Sequence, residues 1–120
     1  MKEKKLTKKR IKQLDRREAR KQFSIWANAV KDRDGRKCIY CASPKLLNAH
    51  HVIPREIKVF RWDVDNGVSL CPKHHKFSFE FSAHKNPLIF IIWLCRNRPD
   101  QFMCLVKKVT AYTRRQEIAK

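Results

Sequence analysis

Hydrophobic positions in the N-terminal part of the chain form a stripe at roughly helical spacing, and the stripe strengthens toward its C-terminal end. The pattern predicts a helix over about residues 8–31, with Thr7 as its N-cap. The apolar members of the stripe are Ile11, Leu14, Phe23, Trp26, Ala27 and Val30. Because these positions are sparse at first and dense later, we expect a frayed helix start and a helix end that packs on a core.

Two further helices are predicted near the C terminus. Asn86 and the proline after it are typical of a helix cap and first residue, and the apolar run that follows predicts a mostly buried helix over 87–96. Apolar residues recur along one stripe of 100–118 and predict a last helix there. Cys95 and Cys104 lie in these apolar segments, so both are expected in the core.

The middle of the chain favours short strands. Residues 48–53 predict a strand that ends at Pro54, and a turn-forming segment leads into a second strand over 68–70. Pro72 suits the first position of a helix, which we place at 72–82. A hairpin followed by a helix, with helices at both ends of the chain, predicts an α+β fold in one compact domain.

Charge narrows the choice of partner. Lysine and arginine number 29 against 11 acidic residues, which gives a formal net charge of +18. This excess favours nucleic acid ahead of an anionic membrane surface, because the aromatic residues indicate a folded body. The basic residues are densest over 1–22, which we interpret as a basic segment, partly helical or mobile, ahead of a single domain over 23–120.

The cysteine count indicates a reducing compartment. There are five cysteines, an odd number, and the charged N terminus lacks the hydrophobic run of a signal peptide. The longest apolar run, 88–95, is far shorter than the roughly 20 residues of a membrane-spanning helix. We therefore expect a cytoplasmic protein, in which a Cys-x2-Cys pair more often binds metal or acts in redox chemistry than forms a disulfide.

Two ligand pairs predict a structural zinc site. The Asp-Gly pair at 34–35 predicts a hairpin turn that leads into a knuckle carrying Cys38 and Cys41, and Cys71 and His74 repeat the same spacing. Each pair can bind a metal ion through two donor atoms, and the two pairs together supply the four ligands of a tetrahedral zinc. The alternatives are buried cysteines that act as small hydrophobes, or a redox pair, although no strand-helix unit of thioredoxin type follows the first pair.

Four more polar residues, His50, His51, Asn66 and His75, crowd into the same hairpin and helix. Imidazoles bind divalent ions or accept protons near neutral pH, and an asparagine can orient a neighbouring imidazole. These are the parts of a metal-assisted hydrolysis site in a chain whose charge attracts phosphodiesters. Adjacent side chains of a regular strand point to opposite faces, so His50 and His51 share a site only if the backbone bends or if metal and water lie on different sides of the phosphate.

The ordered set of these motifs resembles the HNH endonuclease family, and in particular its small phage-type members with a zinc knuckle. The matching stretches cover about residues 23–95 and read Cys38-x2-Cys41, His50-His51-Val52-Ile53-Pro54, Asn66-Gly67 and Leu70-Cys71-x2-His74-His75. The resemblance implies a small ββα-metal core with a zinc knuckle, flanked by the N-terminal basic helix and the C-terminal helices.

The resemblance also implies roles for the remaining residues. His51 would activate water as the general base, Asn66 would orient the active-site loop and support that base, and His50 and His75 would hold one divalent cation against the scissile phosphate. Members of the family typically nick or cut DNA and leave 5′-phosphate and 3′-hydroxyl ends.

Two positions depart from the family pattern. His74 stands where many relatives have a second cysteine, which changes the zinc ligands to three thiolates and one imidazole without changing their spacing. Phe79 stands where some members supply a third metal-binding histidine. With few protein ligands left, a water-rich Mg2+ or Mn2+ is favoured as the catalytic ion. His84 is interpreted as a surface or loop histidine.

The expected partner is DNA, with no membrane and no small-molecule cofactor, and the protein would act as a monomer or homodimer in a bacterial host cell, encoded by a phage or mobile element. Trp62 is expected either to contact DNA or to cover the small core. The residues expected to contact the DNA backbone are Arg55, Lys58, Arg61 and Lys73. Two other functions stay open: a non-catalytic, zinc-stabilised nucleic-acid-binding module, and a redox protein.

Overall fold

A computed structural model describes residues 5–119 and shows an α+β arrangement of helices around a small two-stranded antiparallel sheet. The elements in chain order are α1 (Lys8–Arg33), β1 (Asn48–His51), β2 (Gly67–Leu70), α2 (Pro87–Asn97) and α3 (Pro99–Ile118). Short 3-10 turns at Lys58–Phe60 and Val64–Asn66 lie between the strands, and a single π-helical turn, Lys73–Phe77, follows β2.

α1 confirms the predicted N-terminal helix and its cap. The Thr7 side chain accepts a hydrogen bond from the Arg10 backbone N–H at 3.1 Å. The helix has 26 residues, about 39 Å, and its buried residues, Trp26, Ala27 and Val30, all lie in its C-terminal part. The basic segment predicted for 1–22 includes residues 1–4, which lie outside the described residues, and α1 runs unbroken past residue 22.

The turn after α1 ends a helix and does not join two strands, so the hairpin expected from the Asp-Gly signal is wrong. Gly35 has a φ of +73°, a conformation that glycine adopts without strain. The carboxylate of Asp34 is buried and accepts a hydrogen bond from the Ser69 backbone N–H at 2.9 Å. It also pairs with Arg33 and Arg98. One carboxylate thereby joins the end of α1 to β2 and to the start of α3.

β1 and β2 pair from Asn48 opposite Leu70 to His51 opposite Gly67. The first strand is two residues shorter than predicted, because the Ile53 backbone pairs with the Asn66 side chain. α1 packs directly on β2 at Gly67, where a Cβ atom would collide with the side chains of Trp26 and Val30.

The helix predicted over 72–82 is wrong. Only Lys73–Phe77 is helical, as a π turn closed by a hydrogen bond from the Ser78 N–H to the Lys73 carbonyl at 2.9 Å. The chain then folds back, and the N–H groups of Ala83 and His84 bond to the carbonyls at 74 and 75, each at 3.0 Å. The returning chain satisfies the carbonyls that a longer helix would have bonded.

α2 and α3 form where predicted, but α2 is less buried than its composition indicated. Phe90 and Leu94 are buried in the main core, whereas Leu88, Ile89 and Ile92 are exposed. The main core consists of Cys38, Val68, Leu70, Cys71, Phe81, Ala83, Phe90 and Leu94. The core positions predicted for the two helical cysteines are also wrong, since Cys95 is exposed and Cys104 is half-buried. The body of the protein covers one face of α2, and an apolar sequence does not reveal which face that is. No helix within residues 5–119 is long and apolar enough to cross a membrane.

Candidate metal centres and the histidine-lined cleft

Cys38, Cys41, Cys71 and His74 form a cluster that can hold a metal ion such as zinc, with all four donor atoms within 4.8 Å of one another. The sulfurs of Cys41 and Cys71 lie 3.7 Å apart, and the Sγ atom of Cys71 lies 3.2 Å from His74 Nδ1. A tetrahedral zinc with Zn–S bonds of about 2.3 Å holds its sulfur ligands about 3.8 Å apart, so the spacing fits that ion.

The knuckle that carries the first cysteine pair is held by backbone hydrogen bonds. The Ala42 N–H donates to the Cys38 carbonyl at 2.9 Å, and the Ile39 N–H donates to the Ser69 carbonyl of β2 at 2.9 Å. Burial raises the pKa of the Cys38 thiol, but backbone N–H groups around its sulfur outweigh burial and leave the pKa lowered. Burial raises the pKa of Cys71 to about 11. A bound cation would favour the thiolate at both positions.

A second cluster consists of three histidines, His50, His75 and His84, whose ring nitrogens lie within 4.8 Å of one another. The Nε2 atoms of His75 and His84 are 3.1 Å apart, and the ring centroids of His50 and His75 are 5.2 Å apart. Three converging imidazoles can ligate one divalent cation and leave further coordination positions open.

His84 is the candidate site residue that the sequence did not reveal. Its side chain is exposed, as a surface histidine would be, yet it faces His75, nine residues earlier. The backbone hydrogen bond from the His84 N–H to the His75 carbonyl places the two residues side by side. No helical or strand periodicity relates these positions, because the contact depends on the fold-back after the π turn.

The environment of His50 and His75 keeps these two imidazoles uncharged at neutral pH. Burial, followed by repulsion from His75 and the other nearby histidines, lowers the pKa of His50 to about 3. Burial and then the neighbouring His84 lower the pKa of His75 to about 4. The Nδ1 atom of His75 is buried without a hydrogen-bond partner among the described residues. Neutral imidazoles have lone pairs that can bind a cation, and the Nδ1 atom of His75 has such a lone pair with no hydrogen-bond partner within residues 5–119.

His51 lies at the end of β1 and is held by two contacts. Its Nε2 atom lies 2.9 Å from the Arg61 carbonyl, and its ring stacks on Trp26 with centroids 3.9 Å apart and planes 11° from parallel. A backbone carbonyl only accepts hydrogen bonds, so Nε2 carries the proton and Nδ1 keeps its lone pair. Burial lowers the pKa of His51, which keeps the ring unprotonated at neutral pH. The geometry therefore leaves one nitrogen able to take a proton.

Asn66 is fully buried and clamps the loop between the strands. Its Oδ1 atom accepts a hydrogen bond from the Ile53 N–H at 2.5 Å, and its Nδ2 atom donates to the carbonyls of Ile53 and Phe60 at 3.0 and 3.1 Å. Phe60 directly precedes Arg61, whose carbonyl binds His51. Asn66 does not touch the imidazole, so its effect on His51 is indirect and acts through the loop.

Replacing Asn66 with alanine is expected to lower the free energy of unfolding by about 3 kcal/mol, because three buried backbone groups lose their partner. Urea unfolding of the zinc-loaded protein measures this change. Asn48→Ala is the matched control, since Asn48 is exposed on β1 and should cost less than about 0.5 kcal/mol. If both variants are equally stable, the clamp is not structural.

An open cleft of about 560 Å³ brings His51 and the three-histidine cluster onto one surface. Although His50 and His51 project to opposite faces of β1, the strand ends at His51, and both side chains line the cleft. The other side chains that line the cleft include Phe23, Arg55, Glu56 and Lys76. A phosphate group in this cleft would lie between a proton acceptor and a cation-binding cluster.

Of the four residues expected to contact DNA, only Arg55 lines the cleft. Lys58 and Lys73 are exposed but lie outside the cleft. Arg61 is half-buried; its Nε–H donates to the Arg55 carbonyl at 2.9 Å and its guanidinium lies 5.8 Å from the Trp62 ring centroid. Trp62 itself is half-buried and packs on the core around Trp26, which is the second of the two roles expected for it.

No protein-family model, curated protein or solved structure matches this chain.

Proposed function

We propose that this protein is a metal-dependent DNA endonuclease of the HNH type that hydrolyses one phosphodiester bond at a time. The observation that carries the proposal is the cleft in which His51, with a free Nδ1 atom, faces the same space as His50, His75 and His84. The net charge of +18 supports a polyanionic substrate. The Cys38, Cys41, Cys71 and His74 cluster would hold a structural zinc that keeps the hairpin and the π turn together.

In the proposed reaction, His51 Nδ1 takes a proton from a water molecule that attacks phosphorus. The Arg61 carbonyl holds the imidazole in the tautomer that this step requires, and stacking on Trp26 restricts its rotation. The new bond joins the water oxygen to phosphorus and the bond to the 3′ oxygen breaks, which yields 5′-phosphate and 3′-hydroxyl ends. His50, His75 and His84 would hold a divalent cation, and that ion would supply Lewis-acid stabilisation of the charge on the phosphate and on the leaving oxygen.

His84 changes the expected catalytic ion. Two histidine ligands favoured a water-rich Mg2+ or Mn2+, whereas a third imidazole brings the donor set closer to those that bind Mn2+, Co2+, Ni2+ or Zn2+. Mg2+ prefers oxygen ligands at octahedral positions, and these three side chains offer only nitrogen. Mn2+ belongs to both sets of ions, the one expected for two histidine ligands and the one expected for three. We propose it as the most effective ion.

Incubation of the purified protein with supercoiled plasmid tests the function. We expect conversion to nicked circles with Mn2+, Co2+ or Ni2+, weaker conversion with Mg2+, and none with a chelator. Zinc analysis of each sample separates loss of the catalytic ion from loss of the structural zinc. Tight DNA binding without nicking under every ion would instead favour a non-catalytic zinc-stabilised binding module, which the same Cys3His cluster and charge also fit.

Replacing His84 with alanine is expected to raise the Mn2+ concentration required for half-maximal nicking by about tenfold or more, because a direct ligand is removed. Mn2+ titration of the protein without DNA should show the same loss of affinity. Lys85→Ala is the matched control, since Lys85 is exposed on the same turn and outside the cluster. An unchanged Mn2+ dependence in the His84 variant would contradict its role as a ligand.

A further inference from the structure

The cleft that contains His51 continues onto α1 through two more clefts. The first, about 530 Å³, shares Phe23 and Arg55 with it, and the second, about 340 Å³, shares Arg16 and Arg20 with the first. We call the arginines that line these two clefts the arginine track, which consists of Arg10, Arg16, Arg17, Arg20 and Arg55. The track leads without interruption from the N-terminal part of α1 to the histidines.

The arginine track is uncompensated by acidic groups. No aspartate or glutamate lines the two clefts along α1, although Asp15 and Glu18 lie on the same helix. Within residues 5–119, none of the track arginines takes part in an ion pair. Their guanidinium groups are therefore available to an external anion. Arginine is well suited to phosphate, because its planar fork donates two parallel hydrogen bonds.

The length of the track matches several nucleotides. From Arg10 to Phe23 the helix rises about 20 Å, at 1.5 Å per residue. Duplex DNA advances about 3.4 Å per base pair along each strand, so this distance corresponds to roughly six base pairs. The track arginines of α1 line one side of a rigid helix, which fits the regular backbone of a duplex better than a flexible single strand.

We propose that the arginine track binds the phosphate backbone of duplex DNA on one side of the scissile phosphate, so that the preferred substrate is a duplex extending about six base pairs beyond the cleft. This proposal depends on the proposed nuclease activity only for the position of the scissile bond. The anchoring is asymmetric, because the track leaves the cleft in a single direction. The contacts are to phosphates, so the track supplies affinity and orientation but no sequence preference.

The double variant R16Q/R20Q tests the track. Glutamine keeps the helix propensity and removes two charges, and both side chains are exposed, so the thermal unfolding of the protein should not change. The matched control is R114Q/R115Q, which removes the same two charges from α3, where neither residue lines any of the three clefts. Full-length zinc-loaded protein is used throughout, with fluorescent DNA duplexes of about 8 and 24 base pairs, chosen to be shorter and longer than the track plus the cleft.

We expect R16Q/R20Q to bind the longer duplex about tenfold or more weakly, and the slope of log affinity against log salt to decrease in magnitude by about 1.8, or 0.9 for each lost phosphate contact. The advantage of the longer duplex over the shorter one should also diminish. The control pair should retain most of the wild-type slope and all of the length dependence.

Equal losses in the track variant and the control pair would overturn the proposal, since they would show that only total charge matters. Loss of binding to anionic lipid vesicles with unchanged DNA affinity would also overturn it and assign the track to a membrane surface. If the wild-type protein shows the expected length and salt dependence but never nicks plasmid, the proposed nuclease activity is wrong. The proposed role of the arginine track in DNA binding still holds in that case. The two failures are therefore distinguishable.

Discussion

Replacing His51 with alanine is expected to abolish plasmid nicking, with a loss of roughly 100-fold to 10,000-fold in rate, because no other group in the cleft combines a free ring nitrogen with a fixed tautomer. The three histidines of the second cluster would be occupied by the cation in the proposed reaction. Measurement of the initial nicking rate with Mn2+ gives the size of the loss.

The control for this prediction must separate loss of the base from loss of structure, since the alanine variant also leaves the Arg61 carbonyl without its donor. His51→Gln keeps an N–H donor but cannot accept a proton near neutral pH, so it should be as inactive as the alanine variant. Both variants should retain zinc, DNA affinity and a cooperative thermal transition. Nicking by either variant at the wild-type rate would show that His51 is not the general base.

Replacing Cys71 with serine is expected to abolish the proposed zinc binding by the first cluster and, with it, the cooperative fold. Cys38 and Cys71 are buried in the main core with Val68, Leu70 and Phe90, so the metal cluster is part of that core. Structural zinc contributes on the order of 10–16 kcal/mol of apparent binding free energy, which is as large as the whole stability of a typical small domain. Without the ion, the knuckle and the π turn lose the link between them.

Metal analysis together with circular dichroism checks the Cys71 prediction. Cys95→Ser is the matched control, because Cys95 is exposed and outside both metal clusters, and this variant should keep its zinc and its melting temperature. Thiol labelling of the wild-type protein distinguishes the redox alternative: bound zinc protects the cluster cysteines until a chelator is added. A metal-free protein with an unchanged cooperative transition would contradict a structural role for the ion.

Local sequence signals predicted several elements well. The hydrophobic stripe and the Thr7 cap predicted α1, and Asn86 with the following proline predicted the start of α2. The Cys-x2-Cys and Cys-x2-His spacings identified the four residues of the first cluster, because ligands that are three residues apart can approach one ion within a single turn. Each of these features depends on residues that are close together in the sequence.

The helix predicted after Pro72 and the burial predicted for Cys95 failed for a common reason. A proline and an apolar run indicate that a helix can form, but they do not indicate where it stops or which face is covered. The returning chain donates its N–H groups to carbonyls of the π turn, and the helical segment that begins after Pro72 therefore ends at Phe77. The position of the main core leaves one face of α2 exposed.

The sequence by itself determined the four residues of the Cys3His cluster, the amphipathic ends of the chain and the positive charge, since these follow from residue type and short spacing. Only the tertiary structure decided that His84 joins His50 and His75, that Trp26 stacks on His51, and that the Arg61 carbonyl selects its tautomer. These contacts have no periodic signature. They arise because α1, the hairpin and the chain after the π turn must bury their apolar faces against one another, and that packing brings the polar groups together.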